Sequence, residues 1–584
     1  MKTAAQIVVL DAGGQYCHLI ARKVRDLGVY SEVRASETPA ADLAGARGLI
    51  ISGGPNSVYD PASPTVDPAI FHPRDDGARV LGICYGQQLM AHLLGGTVQL
   101  GVKGEYGLAT LDLDGCSSVL FDGISGPQQI WMSHRDLVSA VPPGFSVLGS
   151  TATCSIAAIE APARGLYGVQ FHPEVVHTSR GREILSNFLF GICDCRRDWD
   201  PLHRVPQIED EIRQCVGDRN VFFFVSGGVD STVACALCQR ALGAERVQGV
   251  YVDTGLMREG ETDSMRRIPG LSVESAEDRF LGALAGVRDP ERKRHIIGEE
   301  FVRVQERIIE SRHLLDGHWI LGQGTIYPDT IESGGTEKAA VIKTHHNRVP
   351  GIQRLIEAGR VVEPLRAYYK DEVREIGREL GLPAEILDRH PFPGPGLAIR
   401  CLCSQIEAGV QATAEGYILP VHSVGVQGDS RSYAPVLCID TLDALDHARA
   451  TELINRISGV NRVVARVRTA ARLGDLRVRV SDLTPERLVR LRHADAIVRR
   501  LSHSSGFDRR IWQFPVVLIP LGTGAAPDSV VLRPIDSVDG MTAQSVAMPH
   551  DLLNSISTEL LSVPGISGVF YDLTHKPPAT IEWE

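Results

Sequence analysis

The stretch Ser226-Gly227-Gly228-Val229-Asp230-Ser231 follows the apolar run Val221 to Val225 and opens a helical pattern through Thr232, Val233, Ala234, Leu237 and Cys238. A strand that feeds a glycine-rich turn and then a helix belongs to an α/β sheet. Two glycines let the backbone come close to a phosphate, and the N–H groups and dipole of a helix start favour negative charge. The serine hydroxyls add donors. The stretch therefore reads as an oxyanion cradle for a nucleotide, with an ordinary tight turn as the plainer alternative. It is not a Walker A loop, which ends in Gly-Lys-Ser/Thr.

A chain of 584 residues holds roughly three to four domains at about 150 residues each. With 43% hydrophobic and 22% charged residues, each can bury a core as a soluble globular protein does. No window offers the roughly 18 unbroken apolar residues of a membrane span, and Met1 to Gln6 leads straight into strand-like Ile7 to Leu10 without a signal peptide. The expected compartment is the cytoplasm. A net charge of -11 argues against a general nucleic-acid binder. The twelve cysteines are expected to be reduced thiols. Cys193-x-Cys195, Cys235-x-x-Cys238 and Cys401-x-Cys403 lack histidines at zinc spacing and read as buried small side chains rather than metal ligands.

In the first third, strand-like Ile7 to Leu10, Gly48 to Ser52 and Val80 to Ile83 alternate with helical patterns at Gln15 to Asp26 and Gln87 to Leu94. That is the rhythm of an α/β sheet. The third repeat turns through Gly82-Ile83-Cys84-Tyr85-Gly86, whose small flanking residues permit the strained turn of a nucleophile elbow. A free thiol, with a pKa of about 8.5, becomes a usable nucleophile at neutral pH beside a base. Gly168-Val169-Gln170-Phe171-His172-Pro173-Glu174 offers that base. His172 and Glu174 share a face of an extended segment, so the carboxylate can orient the ring. A structural histidine and a core cysteine are the alternatives for each residue taken singly.

Residues Gln6 to Phe190 resemble the class I glutamine amidotransferases in this elbow and His-x-Glu pair. The resemblance implies that Cys84 attacks the side-chain amide of glutamine, forms a thioester and releases ammonia, with His172 and Glu174 completing the triad. It also implies that Ser52-Gly53-Gly54-Pro55 is an oxyanion loop, the N–H groups of Gly54 and Tyr85 meeting the oxyanion. Gln88 and Met132-Ser133-His134-Arg135-Asp136 would hold glutamine, Asp136 on its amino group. Arg135 stands where the family usually has glycine, which leaves the local backbone open.

Arg196 to Pro206 is polar and carries two prolines, as a linker does. A second α/β rhythm follows: the cradle strand, then Val247 to Val252 ending Asp253-Thr254-Gly255, then Ile320-Leu321-Gly322-Gln323-Gly324-Thr325. Lys370 opens a charged helix start that could reach phosphates or simply be solvated. Asp289 to His295 is locally basic and reads either as a lid over a phosphorylated substrate or as a surface helix end. His390-Pro391-Phe392-Pro393-Gly394-Pro395-Gly396 must be a fixed irregular loop.

The cradle resembles the pyrophosphate loop of enzymes that split ATP into AMP and pyrophosphate. Together with the glutaminase motifs, Thr344-His345-His346-Asn347, the proline-glycine loop and the end Lys576 to Glu584, it makes the whole chain similar to the glutamine-hydrolysing GMP synthetase family. The resemblance implies an α/β fold class: two doubly wound α/β domains followed by a duplicated α+β C-terminal domain. The expected boundaries are 1–200 for the glutaminase, 205–400 for the ATP-pyrophosphatase and 401–584 for the doubled region. Ser226, Gly227, Gly228, Val229, Asp230, Ser231, Val252, Gln323 and Lys370 would bind ATP and pyrophosphate, with Asp230 the ligand of Mg2+.

Arg294, Asp429, Gln513, Lys576 and Glu582 match positions that contact xanthosine monophosphate (XMP), and His422 replaces the family's usual Arg or Lys. The doubling itself is legible, since Val436 to Asp443 echoes Val531 to Asp539 and Ile457-Ser458-Gly459-Val460 echoes Val563-Pro564-Gly565-Ile566. The implied reaction uses ATP to adenylylate the carbon-2 oxygen of XMP, and ammonia then displaces AMP. The implied partners are ATP, XMP and glutamine, with Mg2+, no organic prosthetic group, no nucleic acid and no membrane, and either a monomer or a homodimer. Another ammonia-using adenylylating synthetase, of the NAD-making type, and an inactive scaffold of the same fold are the alternatives.

Overall fold

The computed structural model describes residues 5–14, 16–72, 77–113, 117–332, 349–427, 430–439, 447–457, 459–537, 543–576 and 578–584. They fall into two compact units: the described residues of Met1–Arg204 with those of Ile326–Val341, and those of Val205–Thr325 with those of Ile342–Glu584.

The first unit is built on five parallel strands in the order Ser31–Ala35, Ile7–Asp11, Gly48–Ile51, Arg79–Ile83 and Leu166–Val169. Ala158–Ala161 and Ser146–Gly149 add antiparallel at one edge. The inner strands are apolar runs buried along nearly their whole length, as a sheet covered on both faces requires. The helix expected from Gln87 starts instead at Tyr85, because the turn at Cys84 is so tight that helical geometry resumes at the next residue. A long antiparallel hairpin, Thr97–Leu111 with Gln128–Ala140, follows that helix. Arg135 is an exposed residue of this hairpin at the register shift between the Leu100–Asp136 and Glu105–His134 pairs, without positive φ, so the backbone here does not need the family's glycine.

The polar segment after Arg196 is anchored rather than loose. The Gln6 side chain bonds the Arg196 N–H and C=O at 2.9 and 2.8 Å. Trp199 stacks on Tyr30 at 4.6 Å, and the Arg25 guanidinium lies 5.0 Å from each ring.

In the second unit five parallel strands run in the order Leu271–Ser275, Val247–Asp253, Asn220–Phe224, Trp319–Gly322 and Val361–Val362. The order reverses beside Asn220–Phe224. The C-terminal ends of that strand and of Trp319–Gly322 therefore flank the crevice where open α/β sheets take ligands.

The same unit holds a seven-stranded sheet in which the duplication becomes geometry. Ser430–Ile439 and Arg462–Thr469 are parallel with helix His447–Arg456 between them in sequence. Asp528–Leu532 and Ile566–Asp572 are parallel with helix His550–Leu561 between them. The two copies join antiparallel, Arg462–Thr469 against Ile566–Asp572, into one sheet. One apolar cluster runs from Phe222 and Val250 through Leu397 to Val516 and Val569, so the core is continuous past residue 400.

The basic run Asp289 to His295, read as a lid or a surface helix end, is the start of the 22-residue helix Pro290–Ser311. Asp289 caps it, accepting the Arg292 N–H at 2.7 Å, and Pro290 occupies the first turn, where its missing N–H costs nothing. None of the described helices is long and apolar enough to cross a membrane.

Candidate functional site

Cys84 takes φ 53° and ψ -105°, a region that L side chains rarely adopt. The surrounding glycines make the turn possible. A Cβ on Gly82 would lie 2.5 Å from the Gly86 carbonyl carbon, and one on Gly86 would lie 2.4 Å from Ile51 O. The Cys84 N–H donates to Val169 O at 2.8 Å, which ties the elbow to the strand that leads to His172.

His172 Nδ1 is 2.7 Å from Glu174 Oε1, and both residues are almost fully buried. The carboxylate holds the proton on Nδ1 and leaves Nε2 for the thiol, to which the ring is hydrogen-bonded. Burial works against a charged ring, but the Glu174 charge and the bonds to Cys84 and Glu174 outweigh it and lift His172 from 6.5 to about 10. Thr178 Oγ1 fixes the backbone by donating to His172 O at 2.6 Å.

The Ser52-Gly53-Gly54 turn passes close by. A Cβ on Gly53 would sit 3.0 Å from His172 Cε1, and one on Gly54 would sit 2.5 Å from Ala12 O. Tyr85 is the first residue of its helix, and its hydroxyl donates to Pro64 O at 2.5 Å. Gln88 Nε2 donates to Asp136 O at 2.6 Å, and the Asp136 carboxylate accepts from Ser57 Oγ at 2.5 Å. The structure thus gathers Cys84, His172, Glu174, Gly54, Tyr85, Gln88 and Asp136 in the first unit. It adds a residue that the sequence reading quoted only as part of the histidine motif: Gln170, fully buried, whose Nε2 donates to Cys84 Sγ at 3.5 Å. Its place between the end of the strand Leu166–Val169 and Phe171-His172 is the available signal.

The second site lies at the C-terminal end of Asn220–Phe224. Gly227 turns at φ 77°, a conformation that demands glycine, and Gly228 caps the helix Val229–Leu242. Ser226 Oγ and Ser231 Oγ are 3.2 Å apart, and the Gly228 N–H donates to Ser226 Oγ at 3.3 Å. Lys370, read as either a phosphate ligand or a solvated helix start, places Nζ 3.3 Å from Asp230 Oδ2. Gln323 follows the neighbouring strand, and Gly324 abuts the cradle so closely that a Cβ would lie 2.6 Å from Ser231 N. Val252 is the buried penultimate residue of Val247–Asp253. Cys235 and Cys238 are buried in the cradle helix, and burial pushes the Cys235 thiol up to about 12, as befits packing residues.

The C-terminal tail forms a third cluster, in the same unit as the cradle. Arg400 is fully buried and forks onto Glu582, Nε–Oε2 2.9 Å and Nη2–Oε1 2.7 Å. Glu582, expected to offer its carboxylate to the nucleotide, also gives both oxygens to Arg400, since a guanidinium out of water needs a counter-charge. Arg294 Nη2 donates to Glu584 O, and the fully buried Lys293 pairs with the Glu584 carboxylate. Gln513 Nε2 donates to Pro391 O at 2.7 Å, linking the segment before the strand Val516–Ile519 to the proline-glycine loop. Lys576 and Ala543 exchange backbone bonds of 2.7 and 3.1 Å. His422 is an exposed strand residue. Asp429 and Thr344 to Asn347 lie outside the described residues.

Beneath the tail, Arg462 and Arg533 both bond Asp572 Oδ2, at 2.9 and 2.8 Å, with all three side chains fully buried. Arg462 Nη2 and Arg533 Nη2 also each donate to Thr580 O at 2.9 Å. Burial drives the Arg462 pKa down, and the neighbouring Arg533 charge adds to this; Asp572 restores only part, leaving it at about 9. No local sequence signal marks these cations or Arg400, because their carboxylate partners lie far along the chain.

A thiol on a strained strand-to-helix turn facing a His–Glu pair, in one chain with a phosphate cradle at the reversal point of a second sheet, defines a glutamine-using ligase of the amidotransferase class. Comparison with known proteins agrees. The family model described as glutamine amidotransferase class-I matches residues 8–192, the NAD synthase model 203–277 and the GMP synthase C terminal domain model 501–583. A Leptospira interrogans protein named "Probable GMP synthase (glutamine-hydrolyzing)" is 43% identical, with 99% of each chain covered. The GMP synthase (glutamine-hydrolyzing) of Thermobifida fusca is 41% identical over 99% of this chain and 98% of its own. The chain belongs to the glutamine-hydrolyzing GMP synthase family.

Proposed function

We propose that this chain makes GMP from XMP, ATP and glutamine, with AMP, pyrophosphate and glutamate as the other products. The observation that carries this reading is the presence in one chain of the Cys84–His172–Glu174 elbow and the Ser226–Ser231 cradle beneath Lys370. In the glutaminase, Cys84 Sγ attacks the side-chain amide carbon of glutamine while the N–H groups of Gly54 and Tyr85 receive the oxyanion. His172 holds the thiol proton and returns it to the departing nitrogen, so ammonia leaves and a glutamyl thioester remains for water to hydrolyse. Glu174 keeps the ring oriented and supports its charge. Gln88 and Asp136 hold the substrate.

In the synthetase, Ser226 to Ser231, Val252, Gln323 and Lys370 hold ATP while the carbon-2 oxygen of XMP attacks the α-phosphorus and pyrophosphate leaves. Ammonia then adds at carbon 2 and AMP departs. Asp230 suits Mg2+: one partly exposed carboxylate at the mouth of the cradle is what this ion takes when phosphate oxygens and water complete its shell. Held by Asp230, such an ion would supply positive charge to the leaving pyrophosphate. Arg294, Asp429, Gln513, Lys576 and Glu582 are assigned to XMP, and Glu582 also fixes the tail through Arg400. A cytoplasmic setting is supported by the eleven described cysteines, all free thiols.

An NAD synthase-type ligase is the second reading, favoured by the model match at 203–277. Incubation with Mg2+-ATP, XMP and glutamine, followed by chromatography of the nucleotides, separates the two. GMP with AMP and pyrophosphate is expected. ADP formation, or no GMP even with ammonium, overturns the proposal.

A further inference from the structure

Beyond His172, the sulfur of Cys84 has two neighbours with opposite preferences. Ser133 O, 3.7 Å away, accepts from the thiol and repels a thiolate. Gln170 Nε2, 3.5 Å away, donates and so favours the thiolate. The direction of the Gln170 amide follows from its own partners. Gln88 Nε2 reaches Asp136 O at 2.6 Å, and a carbonyl only accepts, so the Gln88 amino group must face it. The same amino group reaches Gln170 Oε1 at 3.1 Å, which leaves the Gln170 amino group for the sulfur. Gln88 and Gln170 are 3% and 0% exposed, so water does not screen this chain of dipoles.

Resting on the glutaminase reading above, we propose that Gln170 is a further catalytic residue. Its amide donates to Cys84 Sγ, stabilises the thiolate against the Ser133 carbonyl, and through Gln88 joins the nucleophile to the Ser133–Asp136 stretch that is assigned to hold glutamine. No bond is made or broken at Gln170. The thiol proton passes to His172 while the amide hydrogen stays in place. Among the described residues, the charged and titratable groups that face this sulfur or its His172 partner include Glu174, Cys154, His134 with its ion-pair partner Glu105, and Tyr16 packed on the His172 ring. Gln170 is the neutral donor among them, so its removal changes the thiolate without removing a charge.

The test is the pH dependence of Cys84 alkylation by iodoacetamide in the full-length protein, read by mass spectrometry of the Cys84 peptide to exclude the other thiols. Gln170→Glu keeps the shape and the Gln88 partner but replaces the donor by an acceptor; Gln170→Met removes the polar group. The expected result is a midpoint raised by about one pH unit in Gln170→Met, a hydrogen bond to a charged group being worth about that or somewhat more. Gln170→Glu should shift it further. Glutamine hydrolysis should fall 10-fold or more in kcat, with KM for glutamine changed less than 3-fold and ammonium-supported synthesis retained. A midpoint unmoved in both variants overturns the proposal, as does a loss confined to KM. Wild-type protein that releases no glutamate would sink the glutaminase reading instead, and the alkylation midpoints would still judge Gln170.

Discussion

Lys370 Nζ lies 3.3 Å from Asp230 Oδ2, so the first residue of the helix Lys370–Glu379 reaches the first turn of the helix that follows the phosphate cradle. The two side chains are 46% and 24% exposed, which makes the pair a weak contributor to stability and leaves both groups open to a ligand. A phosphate entering the cradle would draw the ammonium to itself and free the carboxylate for a cation. Lys370→Met is expected to lower pyrophosphate release from ATP and XMP about 100-fold, comparable to the loss of one preorganised electrostatic partner. Lys370→Arg should recover only part, because the fork is broader than a point charge. Stability in urea should be nearly unchanged; a large fall there would make the pair structural.

Cys84 and the cradle stand in different units, and a variant can separate their chemistry. Cys84→Ala should abolish glutamine-supported GMP formation and leave formation from added ammonium salts within about 2-fold, since only the nucleophile is removed. Chromatographic measurement of GMP with each nitrogen source decides it. Loss of both activities would contradict the assignment of ammonia release to Cys84.

These two centres were legible in the sequence because each is a local backbone demand. A strand, a glycine-rich turn and a helix appear within a dozen residues at both, and the glycines at 82, 86 and 227 are required by close contacts or positive φ. The charged framework under the C-terminal tail was not legible. Arg462 and Asp572 are 110 residues apart, and Arg400 and Glu582 are 182 apart. No spacing rule joins such partners; only folding does. The same distance hid the partner of Glu582: the sequence suggests a nucleotide for it, and the fold adds Arg400. The doubled lobe was visible as an echo in sequence, but its antiparallel join between Arg462–Thr469 and Ile566–Asp572 was not, because strand order depends on contacts between copies.

The Arg400–Glu582 pair predicts a stability asymmetry. Removing one partner leaves an uncompensated charge in the interior, so Glu582→Ala should destabilise the second unit by about 3–5 kcal/mol. Arg400→Met combined with Glu582→Met should cost much less than the sum of the single changes, because no charge is stranded. Urea unfolding of the four members of the cycle measures this. Additive single effects would show the pair to be incidental.

His172 predicts a pH dependence of stability. Its folded pKa, about 10, stands above the unfolded value near 6.5, held up against burial by Glu174 and Cys84. The native state therefore binds more protons than the unfolded state between those values, and the ring's stabilisation, complete below 6.5, is lost as pH rises to 10. Thermal unfolding of the wild type should fall more steeply from pH 7 to 10 than that of Glu174→Gln, which lacks the carboxylate that raises the ring. Parallel slopes for the two proteins would show that His172 is not held charged.

The closest packing constraint on the cradle comes from outside it. Gly324 follows the strand Trp319–Gly322, and a Cβ there would lie 2.6 Å from Ser231 N and 2.7 Å from Ser231 Cα. Both atoms are backbone at the helix start, so no side chain can swing aside and either strand end or cradle must move. Overpacking of this kind costs about 1–3 kcal/mol, a tolerable loss for the fold. The geometric effect is the larger one, because the displaced N–H groups are those assigned to phosphate and a misplacement of about 1 Å can cost about 100-fold in rate. Gly324→Ala is therefore expected to raise the KM for ATP at least 10-fold and to slow ammonium-supported GMP formation, while glutamine hydrolysis measured without nucleotides stays as in the wild type. An unchanged KM for ATP would mean that the nucleotide does not rest on the Ser231 end of the turn.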